Sequence, residues 1–293
     1  MSTEKDSDLN YQKYLTEKLD RGEPNVVVDT VIKLVRDCNR PDLQEIRIAD
    51  LGCFTGSIIN RISMSLPEPI KGKVKLFGFD SDPNIVRGAS LVRPHISFHQ
   101  YNLTEVPPKT KPFQVGILSN VLHEIYSLKI NDEEEAKKLV TSSLKNIQDM
   151  ISIGGSIVIL DGILPNNKDR EIDIEFLKND KYLEFIQFTK SGYCVETPCK
   201  QVTSQIIKTT LGSLAAFLVK SRYLDTTFWK QESQQVYNYF TQEDFKEALS
   251  KCGFSINEQI FYEVPNIKNE IKILDNSVEI PFKNTLIVAK REF

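Results

Sequence analysis

The sequence predicts an α/β fold, a parallel sheet with helices on both faces. Two observations carry this reading. Short apolar runs alternate with helically spaced segments between Ile46 and Asp161, the rhythm of strand–helix–strand units. The first run, Ile46 to Leu51, ends in an acid-bearing, glycine-bearing turn, Asp50-Leu51-Gly52-Cys53-Phe54-Thr55-Gly56-Ser57, which opens a helix-like run to Met64. Right-handed crossovers bring the strand ends to one rim, where such sheets bind ligands. Asp50, Asp80, Asn102, Ser119 and Asp161 are expected there.

Taken in order, Tyr11 to Leu19 and Val26 to Val35 have helical spacing around the break Arg21-Gly22-Glu23-Pro24-Asn25. Tyr11 and Tyr14 read either as a packed helix face or as a lid over the turn. Lys73 to Asp80 is a second strand, and Ser81-Asp82-Pro83-Asn84 is a helix start with Pro in the first turn, where its missing N–H costs nothing. Ile96 to Gln100 is a third strand, ending near Tyr101-Asn102-Leu103-Thr104. Phe113 to Ser119 is the fourth. Asn131-Asp132 caps a helix whose first turn is acidic, matching the helix dipole. Gly154-Gly155 precedes a fifth strand, Ser156 to Asp161.

From Gly162 to Phe240 the strand rhythm stops. Glu171 to Phe188, Gln201 to Lys220 and Thr226 to Tyr239 read as helices rich in aromatic residues, and Leu211 to Val219 as the core of this insertion, with a dimer contact as the alternative. Thr241 then caps a helix to Lys251, followed by a strand over Ser255 to Val264. A hairpin is expected between Ile271–Leu274 and Val278–Phe282, and a last strand over Asn284 to Ala289. The expected organisation is therefore an N-terminal helical cover (1–40), a ligand-binding α/β core (41–161), a helical insertion forming a pocket or lid (162–240) and a C-terminal part of the core sheet (241–293).

Composition narrows the function classes. The 293 residues are 40% hydrophobic and 26% charged, with a net charge of −3. The totals offer no general attraction to a phosphate backbone, so nucleic acid is not the default partner. Five scattered cysteines (Cys38, Cys53, Cys194, Cys199, Cys252) and no secretory leader read as free thiols in a reducing, cytoplasmic setting. Cys194 and Cys199 lack the further pair that a metal set needs. No apolar run reaches the roughly 18 residues of a membrane span, and a homo-oligomer is left open.

The turn also selects its ligand. A dinucleotide site has Gly-x-Gly-x-x-Gly with the pyrophosphate on the helix N-terminus. Here Phe54 stands at the middle glycine, and Asp50 precedes Gly52 by two residues. A carboxylate repels phosphate but suits an ammonium group and hydroxyls. No Gly-Lys-Ser/Thr follows, which removes a phosphate-binding P-loop.

These motifs, in their order, resemble class I S-adenosylmethionine-dependent methyltransferases over Ile46 to Asp161 and again over Thr241 to Ala289. Asp50, Gly52 and Gly56 match that family's acid-x-Gly-x-Gly-x-Gly, and Phe54 departs from it, a departure the loop accommodates if φ there is negative. The resemblance implies a Rossmann-like seven-stranded sheet and S-adenosyl-L-methionine as cofactor. It implies that Asp80 holds the ribose hydroxyls, that Ser81 lies beside the adenine, and that Asn102, next to Leu103, accepts the adenine amino group. Ser119 and Asn120 then border the methionine part. Plainer readings stand beside these: Asp80 as a helix cap, Asn102 as a turn residue, Asp50 as the partner of a nearby cation.

Methyl transfer from a sulfonium is an in-line displacement that depends on positioning, and a hydroxyl acceptor gains from a general base. His123, just past the fourth strand, is the candidate base, with Glu124 to orient it or act instead; the alternative is that His123 packs the helix beginning there. His95 and His99 read as structural. Ser119-Asn120-Val121-Leu122 is not the Asn/Asp-Pro-Pro-aromatic motif of base-amine methyltransferases, and Thr197-Pro198-Cys199 lies outside the position of a pyrimidine-methylating nucleophile. The aromatic insertion reads as a pocket for a small apolar or aromatic acceptor. The expected function is O-methylation of a small organic molecule without a metal. The alternatives are an RNA or tRNA methyltransferase, or a non-catalytic cofactor-binding regulator.

Overall fold

The computed structural model describes residues 23–38 and 43–293. The Tyr11–Leu19 segment, with the expected lid tyrosines, lies outside the described residues. The first described element is α1 (Glu23–Cys38). It lies on the sheet rather than over the turn, its Val27, Val31 and Val35 sharing one buried cluster with Ile48, Ile59, Val115 and Val158.

The central sheet has seven strands. They are β1 (Ile46–Leu51), β2 (Val74–Asp80), β3 (Ser97–Gln100), β4 (Phe113–Ser119), β5 (Ile151–Gly162), then β11 (Asn284–Arg291) and β9 (Phe254–Tyr262), in the spatial order β3-β2-β1-β4-β5-β11-β9. The β1, β2, β3, β4 and β5 neighbours pair in parallel, while β11 runs antiparallel to both β5 and β9. Strand order therefore reverses between β1 and β4, which places a crevice at their carboxyl ends.

Helices cover both faces. α2 (Ser57–Ser65) and the short α3 (Glu68–Lys71) lie with α1 on one side; α5 (Leu122–Ser127), α6 (Glu133–Met150) and α10 (Gln242–Lys251) cover the other, where Leu122, Val140, Leu144 and Phe245 join Leu118 and Ile157. The caps read from sequence are present. Asp82 accepts the Asn84 N–H at 2.7 Å at the start of α4 (Pro83–Val92), Asp132 accepts that of Glu135, and Thr241 and Asp244 form a reciprocal box.

The insertion departs from the all-helical expectation. Residues 171–176 form β6 (Glu171–Phe176), and residues within 201–210 form β8 (Ile206–Thr210). With β7 (Cys199–Gln201) and β10 (Ile271–Ile273) they build a second, four-stranded antiparallel sheet, β10-β6-β8-β7. The reason is legible in hindsight: Glu171-Ile-Asp-Ile-Glu-Phe has period two, with Ile172, Ile174 and Phe176 buried. Thr226–Tyr239 holds only the four-residue α9 (Trp229–Glu232) rather than a long helix. The expected hairpin over 271–282 is also corrected: β10 pairs with β6, because Ile271 and Ile273 complete the insertion's apolar cluster. α7 (Asn179–Thr189) and α8 (Leu211–Lys220) are helical as read, and α8 is core.

Candidate active site

The acid-glycine turn is built by close approach. Gly52 and Gly56 have φ of +79° and +73°, and a Cβ on them would stand 2.5 Å from Val121 and from the Phe98 ring respectively. Only glycine satisfies both demands. Phe54 also has positive φ, +47°, so the expectation of a negative value is overturned. A bulky side chain in the left-handed region costs about 1–2 kcal/mol. The conformation is held by the Phe54 N–H, which donates to Asp80 Oδ2 at 2.8 Å, while the N–H groups of Gly52 and Cys53 both donate to the Phe79 carbonyl at 2.8 Å.

Beside the turn a cavity of about 670 Å³ opens at the carboxyl ends of β1 to β4. Its walls include Gly52, Asp80, Ser81, Asn102 and Leu103, together with Ser119, Asn120, His123 and Glu124. Asp50 and Gly56 are not on its wall. Asp50 is 2% exposed, behind the turn, and its Oδ2 has no hydrogen-bond partner. Burial pushes its carboxyl up to about 7, against a backbone hydrogen bond from Ile59 and with a further push from the Asp80 charge.

Asp80 ends β2 with each oxygen accepting one backbone N–H, Oδ2 from Phe54 and Oδ1 from Asp82 at 3.0 Å. A carboxylate has further lone pairs, and these suit a pair of hydroxyls. The helix cap is Asp82, which separates the two readings of Asp80. Asn102 is a turn residue: its Oδ1 accepts both the N–H and the hydroxyl of Thr104, at 3.1 and 3.0 Å. These bonds belong to the turn reading of Asn102, which also lines the cavity.

On the same cavity's wall, His123 Nδ1 lies 2.8 Å from Asp161 Oδ1. Asp161 is fully buried at the end of β5; its Oδ1 also accepts the Gly162 N–H, and Oδ2 accepts those of Leu122 and His123. With both Asp161 oxygens acting as acceptors, His123 Nδ1 is the donor of this bond, and the neutral tautomer it selects has its lone pair on Nε2. The same carboxylate caps the N-terminus of α5, which has no capping side chain of its own. Tyr237 packs on the imidazole at 4.6 Å between ring centres and donates its hydroxyl to Asn120 Oδ1. Asn120 has φ +56°, a conformation asparagine tolerates better than most residues.

Glu124 has an exposed side chain, but that exposure opens on the cavity it lines, and the enclosing protein raises its carboxyl above the ordinary range. His99 stacks between β-strand rings, 6.2 Å from Phe77 and 5.5 Å from Phe79, a structural role as expected.

Most of the insertion's aromatic content does not reach the cavity wall. Phe176, Phe185, Phe188 and Phe217 pack into the insertion's own core, with Trp229 against it. The insertion residues that face the cavity are mixed in character: Val219, Tyr223 and Tyr237 beside Lys220, Arg222, Gln231, Glu232 and Gln235. Lys220 Nζ and Glu232 Oε2 form an ion pair of 2.7 Å with side chains 1% and 6% exposed. Sequence reasoning missed these residues because period and composition carry no signal for a pair 12 residues apart in different elements.

Among the described residues no group of three His, Cys, Asp or Glu is arranged to hold a metal ion, and no helix is long and apolar enough to cross a membrane. All five cysteines are free thiols.

No protein-family model matches the chain, and no curated protein does. Solved structures do. The CurJ carbon methyltransferase matches over 92% of this chain and 54% of its own, at 15% identity and a TM-score of 0.51. LepI in complex with S-adenosylmethionine matches over 89% of this chain and 46% of its own, at 14% identity and a TM-score of 0.49. An S-adenosylmethionine-dependent methyltransferase from Mesorhizobium loti matches over 89% and 96%, at 14% and 0.49. The chain thus spans about half the length of the first two. With its 3-2-1-4-5 parallel strands and antiparallel addition, it has the fold of class I S-adenosylmethionine-dependent methyltransferases.

Proposed function

We propose that the protein is an S-adenosylmethionine-dependent methyltransferase acting on a small organic molecule, with oxygen as the acceptor atom. The observation that carries this reading is the His123–Asp161 pair on the wall of the cavity that the Asp80-bound turn also lines.

The residues present fit the cofactor. Asp80 offers a carboxylate for vicinal hydroxyls, and Ser81 and the Asn102–Leu103 turn, which line the same cavity, would border the adenine ring. Ser119 and Asn120 line the same cavity as His123. When bound, the cofactor supplies an electrophilic methyl group on a sulfonium.

The chain's own part is orientation and proton handling. Asp161 fixes the imidazole tautomer, so His123 Nε2 is the lone pair that takes the proton from an acceptor hydroxyl as its oxygen bonds to the methyl group. Tyr237 and Asn120 hold the ring's neighbourhood, and the insertion's mixed polar and aromatic wall binds the rest of the acceptor.

Calorimetry tests the cofactor assignment directly. S-adenosylmethionine and S-adenosylhomocysteine should bind and NAD should not; NAD binding without either sulfur nucleoside overturns the reading. Asp80→Ala should weaken both sulfur nucleosides by about 1–3 kcal/mol, the cost of leaving hydroxyls unpaired.

A further inference from the structure

The stretch Val236 to Asn238 of the insertion is fastened to the elements that build the His123–Asp161 pair. The Val236 N–H donates to Ser127 Oγ at 2.9 Å, and that hydroxyl donates to the His123 carbonyl at 2.7 Å. Asn238 Nδ2 donates to the Ile163 carbonyl at 2.8 Å. Between them the Tyr237 carbonyl lies over Gly162, where an added Cβ would stand 2.1 Å from its oxygen. Only glycine at 162 admits this approach, one residue beyond Asp161.

From that seat the Tyr237 side chain reaches two residues of the cavity wall. Its ring packs on the His123 imidazole at 4.6 Å between centres and 55° between planes. Its hydroxyl donates to Asn120 Oδ1. Asn120 has φ +56°, and its N–H donates to the Leu160 carbonyl at 2.7 Å. Asparagine enters the left-handed region most readily when its short side chain is hydrogen-bonded locally. Here the bond comes instead from the insertion, 117 residues away in the chain.

We propose that Tyr237 is a positioning residue for both halves of the reaction: its ring sets the plane of the His123 imidazole, and its hydroxyl holds the left-handed Asn120 backbone on the wall of the cofactor cavity. The insertion thereby acts on cofactor binding as well as on the acceptor. This rests on the reading of the cavity as an S-adenosylmethionine site.

The test is a double-mutant cycle read by calorimetry with S-adenosylhomocysteine, on wild type, Tyr237→Phe, Asn120→Gly and the double variant. Tyr237→Phe keeps the ring and removes one hydrogen bond, so it should bind about fivefold more weakly. Glycine takes positive φ without support, so Tyr237→Phe should cause no further loss in the Asn120→Gly chain. The ring is read by proton NMR of the three histidines. The His123 ring protons should keep their ring-current displacement in Tyr237→Phe. They should lose it in Tyr237→Leu, or in Tyr237→Met if the leucine variant folds poorly. Unchanged affinity in Tyr237→Phe, the same loss in the Asn120→Gly background, or imidazole signals indifferent to the ring overturns the proposal and leaves the cofactor reading intact. A wild-type chain that binds no S-adenosylhomocysteine removes both.

Discussion

His123 Nδ1 and Asp161 Oδ1 are 2.8 Å apart, and the same aspartate caps the helix that carries the histidine. One buried side chain thus sets both the tautomer of the imidazole and the placement of its backbone. Asp161→Asn should release the tautomer and weaken the cap together. Nitrogen-15 NMR of the wild-type imidazole should show a protonated Nδ1 and an unprotonated Nε2, and the variant should show mixed or reversed forms. Once an acceptor is found, turnover should fall by about 10²–10⁴, the range of a lost general base. Stability should fall by about 1–3 kcal/mol for the unpaired N–H groups.

Phe54 gives a second prediction with an unusual sign. At an ordinary position alanine is more stable than glycine by about 0.5–1 kcal/mol, because glycine loses more backbone entropy. At φ +47° the order should reverse. Phe54→Gly should be more stable than Phe54→Ala by about 1 kcal/mol in chemical denaturation. The pair compares two variants that both lack the ring, so the difference isolates the backbone. The usual order, alanine above glycine, would show that the turn relaxes out of the left-handed region.

Period and turn chemistry made the core sheet readable: Asp50, Asp80 and Ser119 close apolar runs, and Asp82, Asp132 and Thr241 cap helices where their side chains demand it. The strand ends consequently placed most of the candidate site. Three features were not legible in the same way. Asp50 sits behind its turn rather than on the cavity wall, because the chain folds Gly52 tightly against Val121. Asp161 was visible as a strand end, but its hold on His123 depends on β5 lying next to β4. In the insertion, aromatic residues at helical spacing hid the period-two pattern of Glu171–Phe176, and the partner strand β10 comes from 95 or more residues later, beyond any local pattern.

Lys220 and Glu232 make a third prediction. Their 2.7 Å pair is almost wholly buried at the cavity wall. Removing one member of a buried ion pair costs about 3–5 kcal/mol, whereas replacing both by apolar groups of similar volume is often far milder. Lys220→Met should therefore be strongly destabilising, and Lys220→Met with Glu232→Leu should recover much of the loss. Thermal or urea denaturation of the two variants against wild type reads this directly. If the double variant is no more stable than Lys220→Met, the pair is not the main source of the cost.

Asp50 sets a pH dependence of opposite sign to that of most acids. Its folded value of about 7 lies above the ordinary 3.8, chiefly because burial disfavours the charged form. Between about pH 4 and pH 7 the unfolded chain has lost this proton while the folded chain still holds it. The folded state binds more protons, so Asp50 makes stability fall as pH rises through this window and level off above about 7. A shift of about three units corresponds to about 4 kcal/mol at most. Asp50→Asn keeps the shape and has no proton to lose. The stability of wild type minus that of Asp50→Asn, from urea denaturation at pH 5 and pH 7.5, should therefore be lower at the higher pH. A difference that does not change with pH would mean that Asp50 is already ionised in the folded chain at pH 5, and that its unpartnered oxygen finds a donor behind the turn.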